Sequence, residues 1–275
     1  MPLHSTLSPA SLLNHLDKPY RFCLVGYGFS RECQVPHFHD IQKGVWSGPP
    51  NRIDPFRSAD HATLVRDWFE WRKSLIRARR DAPPYRALAR LQSVLGLRVA
   101  TQCVDGLAGF NGVAEVKELY GNVFAARCRQ CGHGWRADFE AQHAGTCPHC
   151  GGALWPDVAM FDWNRRDRIT ERCIDSPPTR TLVLQIGEEP ELAPYPALSA
   201  AAMKGVTCLR LTADGAVLTR DDTCGHLPIK AIEAEIAKQP WPADLPNQKS
   251  LHRTLLLVLG LLTHREATGS VAIRD

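Results

Sequence analysis

The sequence lacks a large excess of charge of either sign, and it also lacks a long hydrophobic run. Its 33 basic and 29 acidic side chains leave a net charge of +4 over 275 residues, which is too small to favour nucleic acid as a partner. The longest apolar run, residues 255–262, is far shorter than the roughly 20 residues needed to span a bilayer. We therefore expect no membrane-spanning segment and interpret this run as part of a buried helix.

Internal repeats and low-complexity segments are also missing. The N-terminal residues contain no charged stretch followed by an apolar stretch, so we expect no secretory signal. Six of the ten cysteines are scattered without the spacing of a disulfide framework, and these are Cys23, Cys33, Cys103, Cys173, Cys208 and Cys224. This pattern favours a reducing compartment, and we expect the protein to be cytoplasmic.

The other four cysteines form two Cys-x-x-Cys pairs, Cys128 with Cys131 and Cys147 with Cys150, and fifteen residues separate the pairs. This spacing is typical of a tetrahedral zinc site, and four thiolates leave no position for a water, so we expect a structural metal. Glycines after each pair would supply the positive φ of the turns. The alternatives are two disulfides or four unrelated buried cysteines. Neighbouring histidines could also replace a ligand, although we expect them at the surface: His133, His143 and His149.

Strand and helix patterns alternate along the chain. We predict strands at residues 21–25, 97–101, 181–186, 207–211 and 216–219, and helices at 11–16, 60–80, 85–95, 196–204, 227–238 and 249–263. The first strand leads into a glycine turn at 26–28, which is typical of a nucleotide-binding βα unit. We interpret residues 1–20 as a loose lead-in apart from their short helix, and residues 40–57 as a loop.

This alternation predicts an α/β protein with a Rossmann-like, doubly wound parallel sheet and a smaller zinc-binding lobe. We assign residues 1–39, 97–125 and 165–275 to the large lobe. Residues 40–96 form a helical insert in this scheme, and residues 126–164 form a zinc-ribbon small lobe.

Five stretches in matching order together resemble one known family. Residues 26–39 are similar to G-A-G-x-S-x-x-S-G-I-P-x-F-R, residues 101–107 to T-Q-N-I-D-G-L, residues 118–121 to E-L-H-G, residues 150–158 to C-G-G-x-L-R-P-D-V, and residues 186–194 to I-G-T-S-L-x-V-x-P. These are motifs of the sirtuins, a family of NAD-dependent protein deacylases. The resemblance covers about residues 20–238 and frames the cysteine site.

The resemblance implies a Rossmann-like large lobe, a zinc-bearing small lobe and an NAD cleft between them. It also implies that an acyl-lysine peptide or a partner protein would pair along the segment from Val158 to Trp163. The positions that would contact NAD are Gly26, Gly28, Ser30, Phe38, His39, Gln102, Asp105, Gly187, Glu189 and Thr212.

The residues at the family's chemical positions differ from its pattern, apart from Asp105. Tyr120 stands where a sirtuin has the histidine that accepts a proton from the nicotinamide ribose. A phenol with a pKa near ~10 is ionised in only about one molecule in a thousand at pH 7. Cys103 replaces the cleft asparagine, and a thiol forms weaker hydrogen bonds than an amide. Asp105 matches the aspartate of the family motif and would either contact a ligand or cap the helix that follows it.

The cofactor and peptide positions also differ. His39 replaces an arginine, Tyr27 replaces an alanine between two glycines, and Glu188 and Glu189 replace a Thr-Ser pair. Carboxylates at that place would repel pyrophosphate oxygens. Asp162 and Trp163 replace Gly and Glu of the peptide-pairing segment.

We therefore expect a sirtuin-like zinc protein that lacks ordinary deacylase activity and acts as a nucleotide- or protein-binding regulatory module. Structural zinc is the expected cofactor. NAD is a possible second cofactor, but the residues at positions 27, 39, 188 and 189 argue against its binding. The alternative is an NAD-dependent deacylase, or another NAD-consuming enzyme that transfers ADP-ribose or hydrolyses NAD, with an altered active site. A nucleic-acid-binding zinc module is less favoured, because solvated arginines commonly surround zinc ribbons. Those arginines are Arg127, Arg129, Arg136, Arg165, Arg166 and Arg168.

Overall fold

The computed structural model describes residues 3–36, 62–135, 139, 145–158, 180–187, 206–220, 223–238 and 245–267. The predicted loop at 40–57 and the predicted helix at 196–204 lie outside these ranges. Within them, no helix is both long and apolar enough to cross a membrane.

The elements follow the chain in this order. The first half contains β1 (Leu3–Thr6), α1 (Pro9–Leu16), β2 (Tyr20–Val25), α2 (Tyr27–Glu32), α3 (Ala62–Arg77), α4 (Pro83–Leu95), β3 (Arg98–Thr101), α5 (Leu107–Phe110), β4 (Lys117–Glu118) and β5 (Gly121–Cys128). The second half contains β6 (Gly134–Trp135), β7 (Leu154–Val158), β8 (Thr181–Ile186), β9 (Thr207–Thr212), β10 (Gly215–Arg220), β11 (Thr223–Pro228), α6 (Ile229–Ile236) and α7 (Leu251–Ala267).

The larger sheet has eight strands in the order β1-β11-β10-β9-β8-β2-β3-β4. Strands β9, β8, β2, β3 and β4 are parallel neighbours, as the alternating pattern predicts. Their register places Val25 beside both Thr101 and Ile186. The carboxyl ends of these strands therefore meet at one edge, which is where ligands bind in doubly wound sheets. Strand β10 is antiparallel to both of its neighbours, so the described sheet is mixed rather than purely parallel.

Two predictions about the outer part of this sheet are wrong. Residues 3–6 are a strand that pairs with β11, not a loose lead-in. Residues 223–228 are also a strand, and the helix begins at Ile229 instead of residue 227, because Pro228 is extended (φ −62°, ψ 145°) and precedes the first helical turn. The partners β1 and β11 are far apart in sequence, so no local pattern announces their pairing.

One hydrophobic core joins the layers around the sheet. Every residue of β8 is buried, as expected for a central parallel strand. Helix α4 packs against α7, whose apolar run 255–262 is largely buried, in agreement with the prediction for that run. The same core includes Trp155 and Val158 of the smaller sheet. The domain boundaries assigned from the sequence stay a prediction.

The smaller sheet has three antiparallel strands in the order β6-β5-β7. The turn between β4 and β5 requires Gly121, which has φ +81° and lies opposite Val158. A Cβ atom at this position would overlap the carbonyl oxygen of Asp157. Gly121 therefore allows the chain to pass from the large sheet into the small sheet.

We expect Gly121→Ala to lower the free energy of unfolding by about 2 kcal/mol or more, because the side chain would be strained and would collide with backbone. Gly109→Ala is the matched control, since a Cβ there meets nothing within 4 Å. Thermal unfolding followed by circular dichroism measures both variants. Equal melting temperatures for the two variants would contradict the close packing of β5 on β7.

Candidate functional site

The four cysteines of the two pairs converge at the end of the smaller sheet. All their Sγ atoms lie within 4.8 Å of one another. The Sγ atoms of Cys128 and Cys150 are 3.5 Å apart, and those of Cys131 and Cys147 are 3.7 Å apart. Zn–S bonds of about 2.3 Å in a tetrahedron would place sulfurs about 3.8 Å apart. The donor set and its spacing are therefore consistent with a structural zinc site. All four thiols are free, so the two-disulfide alternative is wrong.

Backbone hydrogen bonds shape each knuckle. The amides of Gly132 and Gly151 donate to the carbonyls of Cys128 and Cys147 at 3.0 and 2.8 Å. Both glycines have positive φ, as predicted. The amide of Cys131 donates to Cys128 Sγ at 3.5 Å and helps to lower the pKa of Cys128 to about 6. The Cys128 thiol in turn raises the pKa of Cys150 to about 12, so a bound metal ion would be needed to favour the thiolate form of all four side chains.

The neighbouring histidines contact each other instead of the cysteine cluster. The rings of His133 and His149 are exposed, with centroids 4.1 Å apart, and both lie beside Trp135. No described histidine belongs to the group of possible metal ligands. Their predicted surface location is confirmed, and His143 lies outside the described residues.

One aromatic residue of the arm between the knuckles packs against residues outside the arm. The ring of Phe139 lies 4.4 Å from that of Phe110 on α5 and 4.3 Å from that of Phe124 on β5. Arg77 Nε of α3 donates to the carbonyl oxygen of Phe139 at 3.0 Å. The arm therefore contacts α3, α5 and the smaller sheet.

At the carboxyl edge of the larger sheet, two glycine turns touch each other. The amide of Gly26 donates to the carbonyl of Ile186 at 2.9 Å, and the amide of Gly28 donates to the carbonyl of Gly187 at 2.8 Å. A Cβ at position 28 would lie 2.7 Å from that oxygen of Gly187. The glycines predicted to admit a phosphate thus permit a close contact between the ends of β2 and β8.

Asp105 is the most highly connected residue of this edge. Its carboxylate accepts hydrogen bonds from Ser30 Oγ at 2.6 Å, from Tyr85 Oη at 3.2 Å and from the amide of Leu107 at 2.9 Å. The side chain is buried, and burial raises its pKa even though the hydrogen bonds and Arg72 oppose that shift. Asp105 therefore accepts from the first amide of α5, although it lies one residue before the N-cap, Gly106. Its predicted ligand contact stays a prediction.

Cys103 lies next to this network and is not poised as a nucleophile. Its amide donates to Thr101 Oγ1 at 3.0 Å, and its thiol donates to the carbonyl oxygen of Gly26 at 3.2 Å. Burial, followed by the nearby Asp105, raises the pKa of the thiol to about 11. The thiol is consequently protonated at neutral pH.

Gln102 is buried between Thr101 and Cys103, and its backbone amide donates to the carbonyl of Val25 at 2.8 Å. Its side-chain Nε2 finds no hydrogen-bond partner within the described residues. Such a group is costly to bury, so Gln102 is a candidate donor to a ligand.

Tyr120 and Tyr27 stack on each other. Their ring centroids are 6.1 Å apart and their planes differ by 15°. Tyr120 is only 6% exposed, and the pair packs against Leu24, Ala100 and Leu119. The two sequence differences at positions 27 and 120 therefore belong to one contact.

Sequence reasoning missed two residues of this edge, Arg72 and Tyr85. Arg72 is 6% exposed, donates to the carbonyl of Pro36 at 2.9 Å and lies near enough to Asp105 to lower its pKa. It follows Trp68 by four residues and precedes Ile76 by four, so a charge on the apolar face of α3 was the available signal. Tyr85 gave no comparable signal, because its partner Asp105 lies twenty residues further along the chain.

The remaining predicted residues are less informative. Thr212 Oγ1 accepts from the amide of Asp214 at 3.1 Å and so stabilises the turn between β9 and β10. Phe38, His39, Glu188 and Glu189 lie outside the described residues, as does the segment to Trp163 beyond Val158. Their predicted roles stay predictions.

We expect the purified protein to contain about one zinc per chain, and Cys150→Ser to lose it together with much of the thermal stability. Cys224→Ser is the control, because Cys224 lies on β11 outside the cluster. Elemental analysis measures zinc, and circular dichroism measures unfolding. A zinc-free native protein of unchanged stability would contradict this assignment.

We expect the free energy of unfolding of the native protein to fall relative to that of the Asp105→Asn variant as the pH rises from about 4 towards neutrality. The reason is that the folded Asp105 keeps its proton at pH values where the unfolded one has lost it, since its folded pKa is raised above 3.8. Urea unfolding at several pH values tests this, with the exposed Asp67→Asn as control. A pH-independent difference would contradict the raised pKa.

Comparison with known proteins places this geometry in a family. The Sir2 family model matches residues 26–194. An NAD-dependent protein deacylase of Aeropyrum pernix is 37% identical over 147 residues, covering 52% of this chain and 59% of that protein. NAD-dependent protein deacylase 1 of Pseudomonas aeruginosa is 33% identical over 148 residues, covering 50% and 59%. The chain thus matches about three-fifths of the length of these curated relatives.

Solved structures agree on the fold. A Sir2 homologue in complex with NAD superposes with a TM-score of 0.61 at 20% identity, over 97% of both chains. This similarity extends beyond the motifs and includes both sheets. The chain carrying the four-cysteine cluster and the glycine-turn edge belongs to the Sir2 family, whose members are also called sirtuins.

Proposed function

We propose that this Sir2-family chain binds a nucleotide at the carboxyl edge of its larger sheet and does not carry out ordinary protein deacylation. The observation that carries the proposal is the stack of the buried Tyr120 on the partly buried Tyr27. Tyr120 occupies the family position of the proton-accepting histidine, and the stack encloses its ring in apolar surroundings.

Deacylation in this family needs a group that accepts a proton at neutral pH. A phenol is almost fully protonated there, and Tyr120 is 6% exposed among Leu24, Ala100 and Leu119. Cys103 is no substitute, because its pKa of about 11 keeps the thiol neutral and its proton points to Gly26. Neither altered position therefore supplies the base.

Residues other than the missing proton acceptor support the proposal that a ligand pocket is retained. Ser30, Gln102 and Asp105 keep their family identities and lie together at the sheet edge. The buried Nε2 of Gln102 still offers a donor. The two glycine turns keep the backbone approach between β2 and β8. A nucleotide such as NAD or ADP-ribose is the proposed ligand, and zinc is the proposed structural metal.

The alternative is an NAD-consuming enzyme with an altered site. It is favoured by the names of the relatives, which are NAD-dependent protein deacylases. The raised pKa of Asp105 would suit a residue that transfers protons. Against it, the carboxylate oxygens already accept from Ser30, Tyr85 and Leu107. We therefore rank this alternative second.

Two further expectations belong to the same proposal. A peptide or partner protein would pair along the segment that starts at Val158, which is at the end of β7 and pairs with Gly121. Strand addition of this kind depends mainly on backbone hydrogen bonds. We also propose a cytoplasmic location, because the six cysteines outside the cluster lack the spacing of a disulfide framework.

We expect millimolar NAD or ADP-ribose to raise the melting temperature, because a ligand that binds only the native state stabilises it. We expect no nicotinamide release above background when NAD is mixed with an acetyl-lysine peptide. Nicotinamide is quantified by chromatography, and unfolding by differential scanning fluorimetry. Release that depends on the peptide would show an active deacylase, and absence of any thermal shift would contradict nucleotide binding.

Restoring the family residues tests whether only the chemistry was lost. Tyr120→His combined with Cys103→Asn should allow nicotinamide release if the pocket is otherwise intact. The matched control is Tyr20→His with Cys224→Asn, because Tyr20 is 54% exposed at the start of β2. Release by the control would exclude a site-specific effect.

A further inference from the structure

Three neighbouring strands of the larger sheet end in residues that could act together on one ligand. Tyr27 follows β2, Gln102 follows β3 and Tyr120 follows β4. The pairing of Val25 with Thr101 and of Thr101 with Glu118 makes β3 the middle strand. The backbone of Gln102 therefore lies between those of the two tyrosines.

The two tyrosine rings already present their faces to each other. They are nearly parallel, 15° apart, with centroids separated by 6.1 Å, which is within the roughly 4.5–7 Å typical of offset-stacked pairs in contact. A third ring is about 3.5 Å thick. Rotation of the partly buried Tyr27 side chain away from Tyr120 would therefore admit a flat ring between the two.

The base of the pair is apolar and firmly packed. Leu24 and Ala100 are 0% exposed and Leu119 is 2% exposed, and these residues form a cluster with Tyr120 that is separate from the main core. A flat ring inserted here would exchange water for carbon contacts on both faces. The partly buried Tyr27 supplies the outer wall of this cluster.

Gln102 carries an amide group at the end of the strand that lies between the two tyrosines. Its side chain is 2% exposed, and Nε2 has no hydrogen-bond partner in the described part of the chain. A buried donor without a partner costs about 1–3 kcal/mol. A ring nitrogen or an attached carbonyl would remove this cost by accepting the hydrogen bond.

We propose that Tyr27 and Tyr120 form an aromatic clamp for a flat nitrogen heteroaromatic ring that bears a hydrogen-bond acceptor for Gln102. The proposal rests on the proposed nucleotide-binding function and names the part of the ligand that the altered residues recognise. In this proposal, the tyrosines bind a ring at the place where other members of the family have a proton-accepting histidine.

Titration calorimetry with adenosine and with nicotinamide as probes tests the clamp and distinguishes which ring it accepts. Tyr27→Leu and Tyr120→Leu should each weaken binding of the accepted ring by about tenfold or more, since an aromatic stacking partner contributes at least that much to base binding. Tyr27→Phe should bind like the native protein, because it keeps the ring face. Tyr20→Leu is the matched control at an exposed tyrosine of β2.

Cyclohexanecarboxamide separates stacking from hydrogen bonding, because it keeps the amide of nicotinamide but has no flat ring. We expect it not to bind. Unchanged affinity in both leucine variants, equal binding of the saturated amide, or failure of the native protein to bind either flat probe would overturn the clamp. Circular dichroism and zinc content verify that each variant is folded. Peptide-dependent nicotinamide release would instead contradict the loss of deacylation and leave the clamp standing.

Discussion

The buried carboxylate of Asp105 is the constraint on which the ligand edge depends. It accepts hydrogen bonds from Ser30 of α2, Tyr85 of α4 and the first amide of α5. A buried carboxylate is tolerated only when such donors surround it. Removing it would leave several buried donors without an acceptor, each at a cost of about 1–3 kcal/mol. Its retention is therefore explained by architecture alone, whether or not a reaction takes place nearby.

The segment that connects the two lobes is likewise held by contacts that do not involve the side chain at position 120. Tyr120 lies between β4 and β5, immediately before the glycine that the passage into the small sheet requires. Two residues later, Asn122 donates to Glu118 and accepts from the amide of Phe124. These contacts fix the backbone on both sides of position 120. The side chain at that position can consequently change from imidazole to phenol while the surrounding turn is preserved.

The sequence predicted those parts whose signals are local or strongly patterned. The cysteine spacing indicated the cluster, and strand β8 was predicted at residues 181–186 because a fully buried strand is a continuous apolar run. The pairing of β1 with β11 could not be predicted, since it depends on partners more than two hundred residues apart. The contact of Tyr27 with Tyr120 was equally inaccessible: each residue was recognised as a difference from the family, but only the fold brings the two rings together.

The position of the tyrosine pair in the core explains how such a change is tolerated. Tyr27 and Tyr120 belong to a small apolar cluster with Leu24, Ala100 and Leu119, whereas the main core lies on the other side of β2 and includes Cys23 and Val25. Side chains alternate between the two faces of a strand, so substitutions in the small cluster leave the main packing undisturbed. A substitution of Asp105 would disturb the main packing, because its hydrogen-bond donors come from helices of the main core. The fold can therefore accommodate a phenol at position 120 without a change in the packing around Asp105.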